Sequence, residues 1–367
     1  MDIVGFLAPF VLYALVLLLH LVLPAQRVRG YVCGADGRPL EYRLNGVPVL
    51  LVTVVLWATA CVQGVVPWNF LWVHRWASLG GAITLGLLFS AVAYATSPGT
   101  GRGALADFFF GRPENPRILG GVGVGVGVDV GVDVKMLLYL VGATMLELNL
   151  LSFAAHHVLA HPLGPSPGVL LYTAMLSWFV LDYLFFERVH LYTYDLFAER
   201  VGFKLGWGCL AFYPYFYVVG LWSTVALPTP AVPGWWWPLA IAIFAAGWCL
   251  ARGANLQKFF FKLDPNHRFL GLFAPSVVGD GERTLLCSGL WGISRHVNYL
   301  GEILMATGTV LALGWPTALG PWLYPLYYVA LLVPRERDDH RRCAAKYGAL
   351  WDEYCRRVPW RIVPWVY

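Results

Sequence analysis

Charge is scarce in this 367-residue chain: Asp, Glu, Lys and Arg make up 13% of it, against 58% hydrophobic residues. Soluble domains carry roughly 25% charged residues, so a water-exposed globule is excluded. Cysteine is sparse and unpatterned. The seven cysteines, at 33, 61, 209, 249, 287, 343 and 355, form no CxxC pair and no metal-ligand spacing. That excludes a zinc ribbon or a dithiol redox motif and leaves reduced thiols packed among apolar neighbours. No metal is expected. His156, His157 and His161 lie close together, but no acidic residue accompanies them, and capping or interfacial roles suit them better. No cleavable leader is evident, because the first apolar run is long and no basic residues precede it.

What the chain has in abundance is long apolar runs. Residues 4–24, 47–67, 78–97, 135–155, 168–187, 206–227 and 233–251 each approach or exceed the length that crosses a bilayer, followed by a hairpin of 299–313 and 317–334. About nine spans are expected from hydropathy. The fold class is therefore an all-α polytopic membrane protein. The loop after the first run carries Arg27, Arg29, Arg38 and Arg43, and later basic loops hold Arg102, Arg112, Arg117, Arg188, Arg200, Lys204, Arg252, Lys258, Lys262 and Arg268. The loops after the fourth and sixth runs have no Lys or Arg. By the positive-inside rule the basic loops and the Arg-rich C-terminus are cytoplasmic. The net charge of +5 is then topology, and a nucleic-acid partner is not expected.

One stretch imitates a nucleotide-binding loop. GVGVGVGVDVGVDV, residues 121–134, is rich in glycine, but valine holds every second position and no strand–turn–helix unit surrounds it. A dinucleotide fingerprint needs that context and an acidic residue about 20 positions on. A low-complexity loop insertion at 120–134 is the better reading.

Polar residues concentrate instead at the mouths of apolar helices in the last third, where they are costly unless partnered or employed. In ANLQKFFFK, Lys258 and Lys262 are four apart and share a helix face, which suits a phosphate, although interfacial snorkelling also places lysines there. LLCSGLWGISRHVNYLGE brings Trp291, Arg295, His296, Asn298, Tyr299 and Glu302 to the entrance of the terminal hairpin. An aromatic plane beside an arginine suits a nucleotide, whereas an interfacial aromatic belt does not account for Asn298 and Glu302. After the last run, charges and aromatics interleave from Arg335 to Tyr367.

These segments resemble the sterol reductase family, which includes Δ14-sterol reductase, the lamin B receptor membrane domain, 7-dehydrocholesterol reductase and sterol C24(28) reductase. LEYRLNG (Leu40–Gly46), GRPENPRI (Gly111–Ile118), WGISRHVNYLGE and DHRRCAAKYGALWDEYCRRVPWRIVPWVY carry the resemblance, which runs nearly end to end. It implies one membrane domain over 1–367 of about ten spans, with N-terminal helices in 1–160 and a catalytic, cofactor-binding half in 168–367. Ten differs in parity from the nine runs, which puts one span boundary, around Phe269–Val278, in question. It implies NADPH in a cytoplasm-facing pocket, held by Lys258, Lys262, Leu286, Trp291, Asn298, Tyr299, Asp339, Cys343, Tyr347 and Tyr354, and a sterol entering from the lipid through a second cavity. Arg295 joins that set by charge and position. Lys262 stands where the family has Arg, which loses bidentate grip but keeps the charge. The membrane is the endoplasmic reticulum in a eukaryote and the inner membrane in a bacterium.

The segment Trp178–Gly208 is most similar to 7-dehydrocholesterol reductases, so the C7–C8 bond is the expected target, with Δ14 as the alternative. Several family residues are replaced: Gly-Asp is Gly208-Cys209, His-Asp is Ala198-Glu199, the Glu and Arg after the glycine region are Tyr139 and Val141, and an Asp is Glu302. These losses keep open a non-catalytic sterol-binding scaffold. A membrane methyltransferase using S-adenosylmethionine shares an Arg-His…Tyr-x-Gly pattern but has R-H-P where this chain has Arg295-His296-Val297-Asn298. Reduction would proceed by protonation and then hydride delivery. Tyr217, in the run of Tyr213, Tyr215 and Tyr217, matches the family's tyrosine best and is the expected proton donor, with Asp339 relaying or polarising. Asp182 and Glu187 are candidates because carboxylates in or beside a span are expensive, and Glu302 is one because the resemblance puts a family Asp at its position.

Overall fold

The structure, a computed structural model, describes residues 2–34, 37–118 and 131–367. Most of the glycine–valine repeat lies outside the described residues. Its end is Val132–Asp133, which pairs antiparallel with Arg117–Ile118, so the two flanks of the insertion meet.

The apolar runs fold as helices: α1 (Ile3–Val22), α2 (Gly46–Val62), α3 (Arg75–Ala95), α4 (Val134–Ala160), α5 (Pro167–Phe185), α6 (Trp236–Leu263), α7 (Val297–Ala312) and α8 (Leu319–Tyr347). Five of them, α1, α3, α4, α5 and α6, are long and apolar enough to cross a membrane on their own. The chain is an all-α multi-pass membrane protein. The run expected at 206–227 is a helix in pieces, Phe203–Trp207, a π-turn at Gly208–Phe212, Tyr213–Phe216 and Val219–Thr224. Phe269–Val278 is not a helix: it holds a tight turn bridged by Phe269 and Phe273, and it leads into a hairpin of Val277–Gly279 with Thr284–Leu286. A second hairpin, Gln26–Cys33 with Pro39–Leu44, joins α1 to α2.

Contacts gather into two compact units, Met1–Pro228 and Thr229–Tyr367. In the first, α4 is the core. Asp133 caps it by accepting from Met136 N at 3.0 Å, and its side chains from Val134 to Ala154 are almost all buried. Its polar residues serve as ties, with Asn149 Nδ2 donating to Pro214 O at 3.0 Å and Ser152 Oγ accepting from Leu71 N at 3.0 Å. Lys135 is buried and donates to Asn115 Oδ1 and Leu196 O. Inside a bilayer such bonds have no water to compete with them.

In the second unit, α6 and α7 touch backbone to backbone. A Cβ on Gly247 would stand 2.6 Å from both Gly301 O and Met305 N, and one on Gly308 would stand 2.7 Å from Phe244 N. Small residues at these crossings supply the close packing that replaces hydrophobic drive between membrane helices. The last helix of the hairpin, α8, runs through Pro325 and Pro334 and continues into the charged segment as far as Tyr347. A short amphipathic helix, α9 (Ala349–Arg357), then folds back.

Candidate active site

The C-terminal end of α6, the loop before α7 and the extension of α8 converge in the second unit. Trp291 is 7% exposed and packs with Ala254, Val297, Leu250, Leu286 and Leu290. Its indole Nε1 donates to Ala254 O at 2.8 Å, and Lys258 Nζ lies 4.7 Å from its ring centre. Gln257 holds the loop that presents the ring: its amide donates to Ser288 O and its carbonyl accepts from Leu290 N, each at 3.0 Å.

A second chain of contacts starts at His296, whose ring stacks on Tyr299 with centres 4.7 Å apart. His296 Nε2 stands 3.6 Å from Asp339 Oδ2, and the Cys343 thiol points at the same oxygen at 3.9 Å. Burial holds the His296 imidazole down to about 3, with the positive charges of Lys258 and Arg295 acting in the same direction. His296 is therefore neutral at pH 7. Burial raises the Asp339 carboxyl, opposed by Lys258 and the Cys343 bond, and the Cys343 thiol is pushed up to about 12 by burial and by Asp339. Beyond them Tyr354, Trp351, Val278 and Val358 form a small core, with Cys343, Tyr347, Leu285 and Cys287 packed on it. Burial raises the Tyr354 hydroxyl.

The expected cofactor residues are thus brought together. Lys258 is exposed and Lys262 half-buried, one turn apart at the end of α6. Arg295 is buried, its NH1 bonded to Val358 O at 3.2 Å and its Nε without a partner. Asn298 Nδ2 reaches Asn255 Oδ1 at 3.4 Å, while its own Oδ1 is buried and unpartnered. These two unsatisfied polar atoms lie on side chains beside a cationic, aromatic wall, and they stand out because buried polar groups otherwise find partners. Glu302 lies one turn after Asn298 on the same face of α7, half-buried.

The other candidates belong to the first unit. Tyr217 is 9% exposed, with its ring 4.6 Å from that of Tyr213 and 6.3 Å from that of Phe179. Its backbone carbonyl accepts from Tyr172 OH at 2.8 Å. Tyr215 is tied off: its hydroxyl is 2.5 Å from Ser78 Oγ. Asp182 is half-buried on α5. Cys209, which replaces a family carboxylate, is buried in the π-turn, and such turns recur at functional sites. Glu199 pairs with Lys204 at 2.6 Å.

One residue went unnoticed in the sequence. Glu147, midway along α4, is 7% exposed; its Oε1 accepts from Ser177 Oγ at 2.8 Å and its Oε2 is buried with no partner. A lone carboxylate inside TMLELNL gives no periodic signal, and only its cost in a membrane marks it.

The chain is similar to several named proteins. A Delta(14)-sterol reductase of Arabidopsis thaliana is 32% identical over 94% of this chain and 91% of its own length. A Delta(14)-sterol reductase of Methylotuvimicrobium alcaliphilum is 33% identical over 90% of this chain and 76% of its own. Mus musculus Delta(14)-sterol reductase TM7SF2 is 34% identical over 94% and 82%. None of these three carries the C7–C8 name that Trp178–Gly208 suggested. Residues 4–367 match the family described as Ergosterol biosynthesis ERG4/ERG24, and the chain belongs to it: it is a sterol reductase, an oxidoreductase acting on a carbon–carbon double bond.

Proposed function

We propose that the chain reduces the Δ14 double bond of a membrane sterol with NADPH. The observation that carries the choice of bond is the name shared by the relatives, Delta(14)-sterol reductase, from plant, bacterium and mouse. We assign the cofactor to the Thr229–Tyr367 unit within a single reductase domain of 1–367. Lys258 and Lys262 take phosphate charge, Trp291 and Tyr299 offer ring faces, and Arg295 Nε and Asn298 Oδ1 supply a donor and an acceptor that lack partners. Leu286, Cys343, Tyr347 and Tyr354 form apolar and hydroxyl surroundings. When bound, NADPH supplies the hydride.

The protein's own task is the proton. In a Δ8,14-sterol, protonation at C15 leaves an allylic cation over C14, C8 and C9, and hydride at C14 completes the reduction. Tyr217 donates the proton from a buried hydroxyl and regains it from solvent, while Asp339 holds negative charge near the cofactor residues. Glu302 contributes a carboxyl on the same face of α7 as Asn298, and Asp182 is a further candidate on α5 of the first unit. Neutral His296 packs on Tyr299 and adds no positive charge that would oppose a cation.

The test is turnover by purified protein with NADPH and two sterols in parallel, a Δ8,14-diene and 7-dehydrocholesterol, read by mass spectrometry. Reduction of the Δ8,14-diene is expected. Reduction of 7-dehydrocholesterol alone would return the assignment to C7–C8, and reduction of neither would overturn it.

A further inference from the structure

Where α2 begins and α5 ends, the first unit forms an open-mouthed cavity of about 390 Å³, within the size range of small-molecule sites. None of the residues assigned to cofactor or proton transfer lines it. Its walls are Pro24, Leu44, Val47, Pro48 and Leu184. Two of its lining polar side chains are buried, Asn45 and Glu187. Asn45 is fully committed: Oδ1 meets His20 Nδ1 at 2.6 Å, and Nδ2 donates to His20 O at 3.1 Å and Leu23 O at 3.3 Å.

Glu187 is not. Although it is 7% exposed, only its Oε2 is engaged, accepting from Gly46 N at 3.0 Å to cap α2. Its other oxygen makes no hydrogen bond and keeps access to the cavity. The carboxyl lies flat on the helix start, since a Cβ on Gly46 would stand 2.7 Å from Oε1. Burial pushes the carboxyl up to about 7, with the Gly46 bond opposing. From the cavity, exposed Leu51 and Val55 on α2 and exposed Leu181 and Phe185 on α5 continue toward the bilayer interior. The site therefore offers one buried, uncommitted hydrogen-bond acceptor at the membrane boundary and apolar surface below it, with the exposed Gln26 and Arg188 also lining it. A phosphate headgroup would meet Arg188 at the surface but the Glu187 carboxyl where the lining is buried; a rigid apolar molecule with a single hydroxyl meets its complement at Glu187.

Resting on the sterol reductase reading, we infer that this cavity is a second sterol site, which docks the ring-A hydroxyl end of a sterol from the basic-loop side of the membrane through a hydrogen bond to Glu187. It would hold sterol independently of the double bond being reduced, because everything it contacts lies at the hydroxyl end.

The probe is a cholesterol analogue with a diazirine in ring B and its 3β-hydroxyl intact, photolysed with the full chain in phosphatidylcholine nanodiscs and mapped by peptide mass spectrometry. Label is expected on Val47–Leu51 and Leu181–Phe185. Excess cholesterol should lower it at least fivefold, and neither the 3-deoxy sterol nor phosphatidylethanolamine should. Val47→Trp, which fills the cavity, and Glu187→Leu should lose the label; Glu187→Gln, which keeps an acceptor and the cap, should retain most of it. Equal competition by the 3-deoxy sterol, displacement by phosphatidylethanolamine, or undiminished label in Val47→Trp overturns the site. Turnover of the Δ8,14-sterol is measured on the same wild-type preparation. Turnover without label overturns the docking site alone, and label without turnover overturns the proposed reduction while the docking site stands.

Discussion

Lys258 Nζ stands 4.7 Å from the centre of the Trp291 ring, while Trp291 Nε1 donates to Ala254 O, one turn before that lysine on the same helix. A single turn of α6 thus fixes both the ring and the cation beside it. Cation–π contacts are worth about 0.5–1 kcal/mol at exposed sites, so little of the fold depends on the ammonium. Lys258→Met should weaken NADPH binding at least about tenfold, since a charge-assisted phosphate contact is lost, and leave the thermal midpoint within about 2 °C. Titration calorimetry and a melting curve check both; an unchanged Kd would remove Lys258 from the cofactor site.

Tyr217 keeps its tie to Tyr172 without its hydroxyl, because that bond goes to its backbone carbonyl. Tyr217→Phe is therefore expected to fold and to keep NADPH affinity within a few-fold. Turnover should fall by roughly 10²–10⁴, the range for a lost general acid. Single-turnover kinetics with a Δ8,14-sterol measures it, and a rate within threefold of wild type would assign the proton to another group.

His296 carries a pH dependence of definite sign. Its folded value, about 3, lies below the ordinary histidine value of 6.5. The unfolded chain therefore takes up a proton that the native state refuses, and this stability is complete above 6.5 and lost as pH falls toward 3. Thermal midpoints from pH 4 to 8 should drop less steeply on the acid side in His296→Gln than in wild type. A steeper acid drop in the variant would contradict a buried, neutral imidazole.

Gly247→Leu should fail where α6 meets α7. Its side chain would enter the space held by Gly301 O and Met305 N, and overpacking of about 1–3 kcal/mol or more follows. The measurable result is a lower thermal midpoint and loss of NADPH binding together, because α6 and α7 carry Lys258 and Asn298. A Gly247→Leu protein with wild-type melting would contradict the backbone contact.

Much of this was legible in the sequence because hydropathy is additive over a window. All nine expected runs are helical, and the residues from Lys258 to Tyr354 marked by the resemblance do come together within one unit. What a window average hides is the single residue or the break. The run at 206–227 is apolar throughout, so nothing in its hydropathy announces the π-turn at Gly208–Phe212. The helix α8 was expected to stop at Pro334. It continues to Tyr347 because charges at i, i+4 such as Asp338 and Arg342, 2.7 Å apart, sustain a solvated helix. Glu147 and Glu187 were ambiguous or unseen for the same reason: one carboxyl in an apolar run says that it needs a partner, not which partner. Ser177 Oγ and Gly46 N are brought to them only by the fold.

The most direct measurement traces two deuterium atoms. Purified protein is given a Δ8,14-sterol with NADPH deuterated at C4 in ordinary water, and separately with unlabelled NADPH in D2O, and the products are located by NMR. Δ14 reduction by proton and then hydride places the cofactor's deuterium at C14 and the solvent's at C15. Deuterium in ring B, both labels from solvent, or an unlabelled sterol would contradict it.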